Sequence, residues 1–138
     1  YRRYIMMDTG LLQRLLGLSL QDILMSDDLK MVNRGALAET FVGCELVKSA
    51  SPYATEPLYC WHREKKDSNA EVDFVISWNG TVVPIEVKSG TKGSMQSMRL
   101  FLHEKNLGFG IRASLENFGK LDDTRIVPLY AIGDYVRR

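Results

Sequence analysis

Two acids and a lysine carry most of the chemistry legible in this chain of 138 residues. Asp73 lies in the run EVDFVISW (71–78), Glu86 and Lys88 in the run TVVPIEVK (81–88), and Asn79-Gly80 joins the two. Two β-rich runs around Asn-Gly predict a hairpin, because a type I′ turn needs positive φ at both central residues. A two-residue loop fixes the register. Trp78 then faces Thr81, Ile76 faces Val83, Phe74 faces Ile85 and Val72 faces Val87. Ile76, Phe74, Val72 and their three partners are all apolar and share one face, an independent check on the register. On the other face Ser77 meets Val82, Val75 meets Pro84, Asp73 meets Glu86 and Glu71 meets Lys88. Like charges placed directly opposite each other destabilise a ladder, and partial burial beside Val75 sharpens the repulsion. A divalent cation removes the conflict, since hard oxygen donors on converging strands suit Mg²⁺. The plainer alternatives are a Glu71–Lys88 salt bridge, and an Asp73 that takes a proton or pairs with an arginine.

Other elements must hold this hairpin. Leu11, Leu12, Leu15 and Leu16 give helical spacing from Asp8 to Leu20, with Gly17 suited to a stop. A short turn is expected over Ser19–Met25, and Asp27–Asn33 reads as a polar loop. Asn33 is expected to cap a long helix reaching Lys48, with Leu37, Phe41, Cys44 and Ala38, Val42, Leu46 as adjoining apolar stripes. Glu39 falls at the edge of that apolar face, where a carboxylate needs a partner. Leu58–Trp61 reads as a short strand and Arg63–Asn69 as a charged loop. The basic cluster Arg63, Lys65, Lys66 there is either solvated or a phosphate contact. A helix capped by Ser94 follows to Asn106, then strands over Gly108–Ser114 and Arg125–Ile132. Pro128 assigns the last of these to an edge or a bulge.

An acid on a helix, an Asp on one strand and Glu-x-Lys on the next resemble the PD-(D/E)XK nuclease superfamily. Val72 stands where the motif's name has Pro. The chain also resembles the C-terminal domain of unknown function of prokaryotic predicted AAA+ ATPases. Six ordered blocks carry that likeness: YIMMDTGLL (4–12), GALAETFVGCEL (35–46), EVDFVI (71–76), PIEVKSG (84–90), SMRLF (97–101) and VPLYAI (127–132). The resemblance implies an α/β fold with a restriction-endonuclease-like core, a mixed central sheet containing the β-hairpin and flanking helices. It implies Asp73, Glu86 and the Val87 carbonyl as ligands of Mg²⁺ (or Mn²⁺), with Glu39 completing the metal site or holding a metal-bound water. Lys88 would orient or activate the attacking water, and Gln96 and Ser97 would contact phosphate or water. It further implies a 1–32 helical segment leading from an upstream ATPase module to a nuclease-like domain over 33–138. The chain begins at Tyr1, which fits a fragment.

The resulting expectation is Mg-dependent hydrolysis of DNA phosphodiesters. The alternative is a catalytically idle nuclease-fold module that binds protein or nucleic acid beside the ATPase. ATP would enter only through the upstream domain. The stretch SGTKGS (89–94) lacks the spacing of a P-loop. Charge is nearly balanced, 18 Lys+Arg against 17 Asp+Glu, which argues against a basic nucleic-acid-binding arm. A phosphate substrate is compatible with that balance through a bound cation. Cys44 and Cys60 have no CxxC spacing, and no apolar run suits a membrane span, so a cytoplasmic protein is expected. His62 and His103 lack ligand spacing, so zinc is not expected.

Overall fold

The computed structural model describes residues 3–18, 31–53, 57–65, 68–91 and 93–137. The elements in chain order are α1 (Thr9–Leu15), α2 (Met31–Ser49), β1 (Tyr59–Lys65), β2 (Ser68–Trp78) and β3 (Thr81–Val87). They continue as α3 (Gln96–Lys105), β4 (Gly110–Ser114), β5 (Gly119–Leu121), β6 (Thr124–Pro128), a 3-10 turn (Leu129–Ala131) and α4 (Ile132–Val136). One six-stranded sheet runs in the order β1-β2-β3-β4-β6-β5. β1, β2 and β3 form an antiparallel meander; β3, β4 and β6 run parallel, and β5 returns antiparallel on β6. The fold is therefore mixed α/β, a mixed sheet flanked by helices.

The hairpin forms in the predicted register from Trp78–Thr81 to Phe74–Ile85, and the expected pairs beyond it, Asp73–Glu86, Val72–Val87 and Glu71–Lys88, are not part of the ladder. Trp78 pairs with Thr81, Ile76 with Val83 and Phe74 with Ile85. Asn79 and Gly80 both take positive φ, 50° and 75°, as a type I′ turn demands. Phe74, Ile76, Val83, Ile85 and Val87 share one core with Ile111, Ala113 and Val127, covered by Ala38, Val42 and Leu46 of α2 and by Ile132 and Val136 of α4. The other face is covered by α3. Gly110 alternates with core-facing Ile111, and a Cβ on it would stand 2.5 Å from Met98 Sδ. Only glycine admits that helix so closely.

Several expectations are corrected. α2 begins at Met31, so residues 31–33 are helical rather than the end of a polar loop. The expected turn over Ser19–Met25 and residues 27–30 lie outside the described residues. The charged stretch Arg63–Asn69 is not a loop at its ends, because β1 runs on to Lys65 and pairs down to Lys65–Ser68. A backbone ladder tolerates charged side chains when they find partners, and Arg63 finds Glu104 at 2.9 Å. The strand expected over Arg125–Ile132 ends at Pro128, where the missing N–H stops the ladder and the chain turns into a 3-10 helix. That strand is internal, since β5 covers its outer edge.

α1 is shorter than expected. Asp8 caps it, its carboxylate accepting from Leu11 N at 3.0 Å, and Gly17 at φ 68° follows its end. The segment before α1 is held against α2 by close packing at Gly43. A Cβ there would lie 2.7 Å from Ile5 Cδ1 and 3.3 Å from Phe74 Cζ. Cys44 Sγ adds weak donation to the carbonyls of Met6 (3.3 Å) and Met7 (3.4 Å).

Candidate cation and phosphate site

The hairpin ladder ends at Phe74–Ile85, and beyond it a side chain replaces the backbone. Asp73 Oδ2 accepts a hydrogen bond from Val87 N at 2.8 Å. The carboxylate thus bridges β2 and β3 one residue past the regular pairing, which fixes it beside Glu86. Asp73 and Glu86 are both buried, 8% and 7% exposed. Lys88 does not reach across to form the ordinary cross-strand bridge. Its Nζ donates to Glu86 Oε1 at 2.7 Å, two residues back on its own strand. The other oxygen, Glu86 Oε2, is buried and has no hydrogen-bond partner among the described residues. Native interiors seldom leave a carboxylate oxygen so.

Lys88 is positioned from behind. Its backbone N donates to Ala113 O at 2.8 Å, which extends the parallel pairing of β3 and β4. Gly93, at φ 144°, lies against its aliphatic stem; a Cβ there would come 2.8 Å from Lys88 Cδ. Arg112, buried in β4, holds the loop that makes this contact. Its Nη2 donates to Thr91 O at 2.8 Å and its Nη1 to Gly93 O at 3.4 Å, while Glu116 ion-pairs with its Nε at 2.9 Å. The signal for Arg112 in the sequence is an arginine in the middle of an otherwise small and apolar strand, GIRAS.

Arg3 is the residue that sequence reasoning did not single out. Its Nη1 donates to Asp73 Oδ1 at 2.8 Å and its Nη2 to Glu39 Oε2 at 2.9 Å. Glu71 Oε1 lies 3.3 Å from Nη1, and the Asp73 carbonyl is a longer acceptor at 3.5 Å. Of the alternatives open for Asp73, pairing with an arginine is the one formed. No pattern in YRRY marks it, because its partners come from β2 and α2, distant in sequence. Around it gather Glu39, Glu71 and Asp73, with Glu86 and Lys88 adjoining. Among the described residues no three His, Cys, Asp or Glu side chains form a ready-made metal cage. The carboxylates are arranged around a guanidinium instead.

The electrostatics follow. Burial raises the Glu86 carboxyl above its ordinary value; the Asp73 charge adds to this, and the hydrogen bond from Lys88 opposes it. Burial also raises Glu39, again reinforced by Asp73 and opposed by Arg3. Burial disfavours the charged Arg3, but the Asp73 hydrogen bond and the charges of Glu39, Asp73 and Glu71 outweigh it, so its value rises. Carboxyls displaced in this direction hold protons more readily folded than unfolded. Their contribution to stability is fully present below the ordinary glutamate value of 4.5 and is lost as pH rises through the raised values. Without added metal, the wild type is therefore expected to lose more stability than Glu86→Gln between the ordinary glutamate value of 4.5 and neutral pH. Urea midpoints at the two pH values check this, and parallel profiles would contradict it.

Gln96 and Ser97 open α3, Gln96 exposed and Ser97 half-buried; Gln96 N donates to Ser94 Oγ at 3.3 Å. No contact joins either to the carboxylates among the described residues. Arg63 is engaged by Glu104 rather than solvated, while Lys66 lies outside the described residues.

A mixed α/β domain with buried acids and a lysine on its central hairpin is thus the class defined by fold and site. The chain belongs to the family described as "Domain of unknown function (DUF4143)", whose profile matches residues 34–132. The match includes Glu39, Asp73, Glu86 and Lys88 and excludes Arg3. Searches of curated proteins and of solved structures found no match to this chain. No helix among the described residues is long and apolar enough to cross a membrane.

Proposed function

We propose that this chain is a PD-(D/E)XK-type nuclease domain with a restriction-endonuclease-like core. Its Asp73–Glu86–Lys88 cluster would hold Mg²⁺ or Mn²⁺ and hydrolyse DNA phosphodiesters. In the whole protein it would stand C-terminal to an AAA+ ATPase module in a prokaryotic cytoplasm. The observation that carries the reading is Glu86 Oε2, a buried carboxylate oxygen without a partner among the described residues, beside a second buried acid and a lysine. A desolvated anion of this kind is stabilised by a cation, and two carboxylates with a carbonyl are the donors a hard divalent ion prefers.

In this reading Asp73, Glu86 and the Val87 carbonyl hold the ion, and Glu39 completes its surroundings. A bound cation would supply positive charge against the negative charge that builds on the phosphate oxygens. Lys88 is fixed by Glu86 and by the loop over its stem. Its ammonium is thereby pre-oriented to hold the attacking water and to offset charge on the phosphate. Gln96 and Ser97 at the start of α3 would contact the phosphate or its water.

A second reading has its own observation. Arg3 already neutralises Asp73 and Glu39, so the same fold could serve as an idle module that docks protein or nucleic acid beside the ATPase. Cleavage of plasmid and branched DNA in Mg²⁺ or Mn²⁺, by the chain and by Asp73→Asn, separates the two. Loss of cleavage in the variant alone supports the nuclease, and absence of cleavage in both supports the idle module.

A further inference from the structure

Arg3 sits where a cation bound by Asp73 and Glu39 would need their oxygens. Its guanidinium makes its two shortest contacts with those two acids, 2.8 Å to Asp73 Oδ1 and 2.9 Å to Glu39 Oε2. Glu71 at 3.3 Å and the Asp73 carbonyl at 3.5 Å complete its surroundings. The side chain is three-quarters buried, at 25% exposure, so these pairs are poorly screened. The segment that delivers it is anchored beyond Arg3, by Ile5 at Gly43 and by Cys44 Sγ on the Met6 and Met7 carbonyls. Ile5 packs on the core beside Gly43, whereas Tyr4 and Met7 on either side are almost fully exposed, at 90% and 89%. Arg3 can therefore leave by a movement of its own side chain and of the exposed Tyr4 beside it, with Ile5 still seated and the sheet undisturbed.

We infer that Arg3 is a built-in surrogate cation that gates the carboxylate site, occupying Asp73 and Glu39 until a divalent ion displaces it. The inference rests on the cation-binding reading given above and adds its regulation. A divalent ion at Asp73 Oδ1 requires an oxygen about 2.1 Å away in a nearly octahedral shell. A guanidinium nitrogen donating to that same oxygen crowds the shell and repels the ion. Exchange replaces one positive charge with two among Glu39, Glu71, Asp73 and Glu86, so total neutralisation improves as Arg3 departs. The unpartnered Glu86 Oε2, which Arg3 does not satisfy, is where the incoming ion gains a donor that the arginine leaves unused. Whatever binds the 3–7 segment in the assembled protein would then set the apparent metal affinity of a site it never touches.

Calorimetric titration of Mn²⁺ into the chain and into Arg3→Gln tests this. The variant is expected to bind on the order of tenfold tighter, because it removes a competing charge at contact distance. Equal affinity in both proteins overturns the gate and leaves the cation site standing; absence of binding in both overturns the cation site, and the gate with it. A second measurement on the unaltered chain covers a variant that folds poorly. Trypsin cleavage after Arg3 is compared with cleavage after Arg137, whose side chain is 70% exposed. Saturating Mn²⁺ is expected to raise that ratio severalfold, about threefold or more, as Arg3 is released from its partners. An unchanged ratio at saturating Mn²⁺ overturns the gate.

Discussion

Asp73→Asn is expected to lower metal-dependent DNA cleavage by a factor on the order of a thousand, while the protein stays folded. The choice of asparagine follows from the geometry. Asp73 has two duties, accepting from Val87 N across the hairpin and presenting negative charge to whatever cation occupies the site. Asparagine retains an acceptor for Val87 N and removes the charge. Alanine would remove both, leaving a buried backbone N–H unpaired at a cost of about 1–3 kcal/mol. Its inactivity would then be ambiguous. Activity measured beside a urea midpoint makes the asparagine result interpretable. Cleavage by Asp73→Asn at the wild-type rate would contradict the assigned role.

Ile85→Ala is expected to be the most damaging single truncation in the sheet, costing about 2–5 kcal/mol. Ile85 is fully buried, at 0% exposure. It pairs with Phe74 on the antiparallel side and with Ile111 on the parallel side, so it joins the two halves of the sheet. A cavity there has walls on several elements and little means of collapsing. Small domains are stable by only about 5–15 kcal/mol, so a loss of this size consumes a large share. Val82→Ala on the same strand, 45% exposed, is the internal comparison, expected within about 1 kcal/mol of wild type. Chemical denaturation of the three proteins checks the contrast, and equal midpoints for the two variants would contradict it. Because Ile85 immediately precedes Glu86, metal affinity is expected to fall with stability in the first variant only.

How much was legible depends on whether the information is local. Asn79-Gly80 sets both the turn and the register through backbone conformation alone, so the hairpin could be read residue by residue down to Phe74–Ile85, and with it that Asp73 and Glu86 lie near enough to interact. Glu39 could be placed at the edge of α2 because the helical period is fixed, and its need for a partner was equally plain. The partner itself was not. Arg3 meets Glu39 and Asp73 only after the 3–7 segment has packed at Gly43, and no spacing rule encodes that tertiary contact. β5 escaped notice because Gly119, Lys120 and Leu121 are all exposed and show no alternation. Its turn uses Asp122 at φ 53° instead of the usual glycine. The extension of β1 through Arg63 was hidden by composition, since Arg63, one of the charges that read as a loop, is paired with Glu104 on α3. The rearrangement at the end of the hairpin was hidden for another reason. Opposed acids predict repulsion, but Asp73 turns to Val87 N and Lys88 turns to Glu86, which relieves part of it without a metal.

The central claim is that buried acids on the hairpin hold a divalent cation in place of Arg3. Its most direct measurement is a crystal of the chain grown or soaked in Mn²⁺, with data collected for manganese anomalous scattering. The account predicts one anomalous peak between Asp73 and Glu86, within coordination distance of Glu86 Oε2, with the Arg3 guanidinium moved off Asp73. Absence of any peak there, with Arg3 still paired to Asp73 and Glu39 in saturating Mn²⁺, would contradict it.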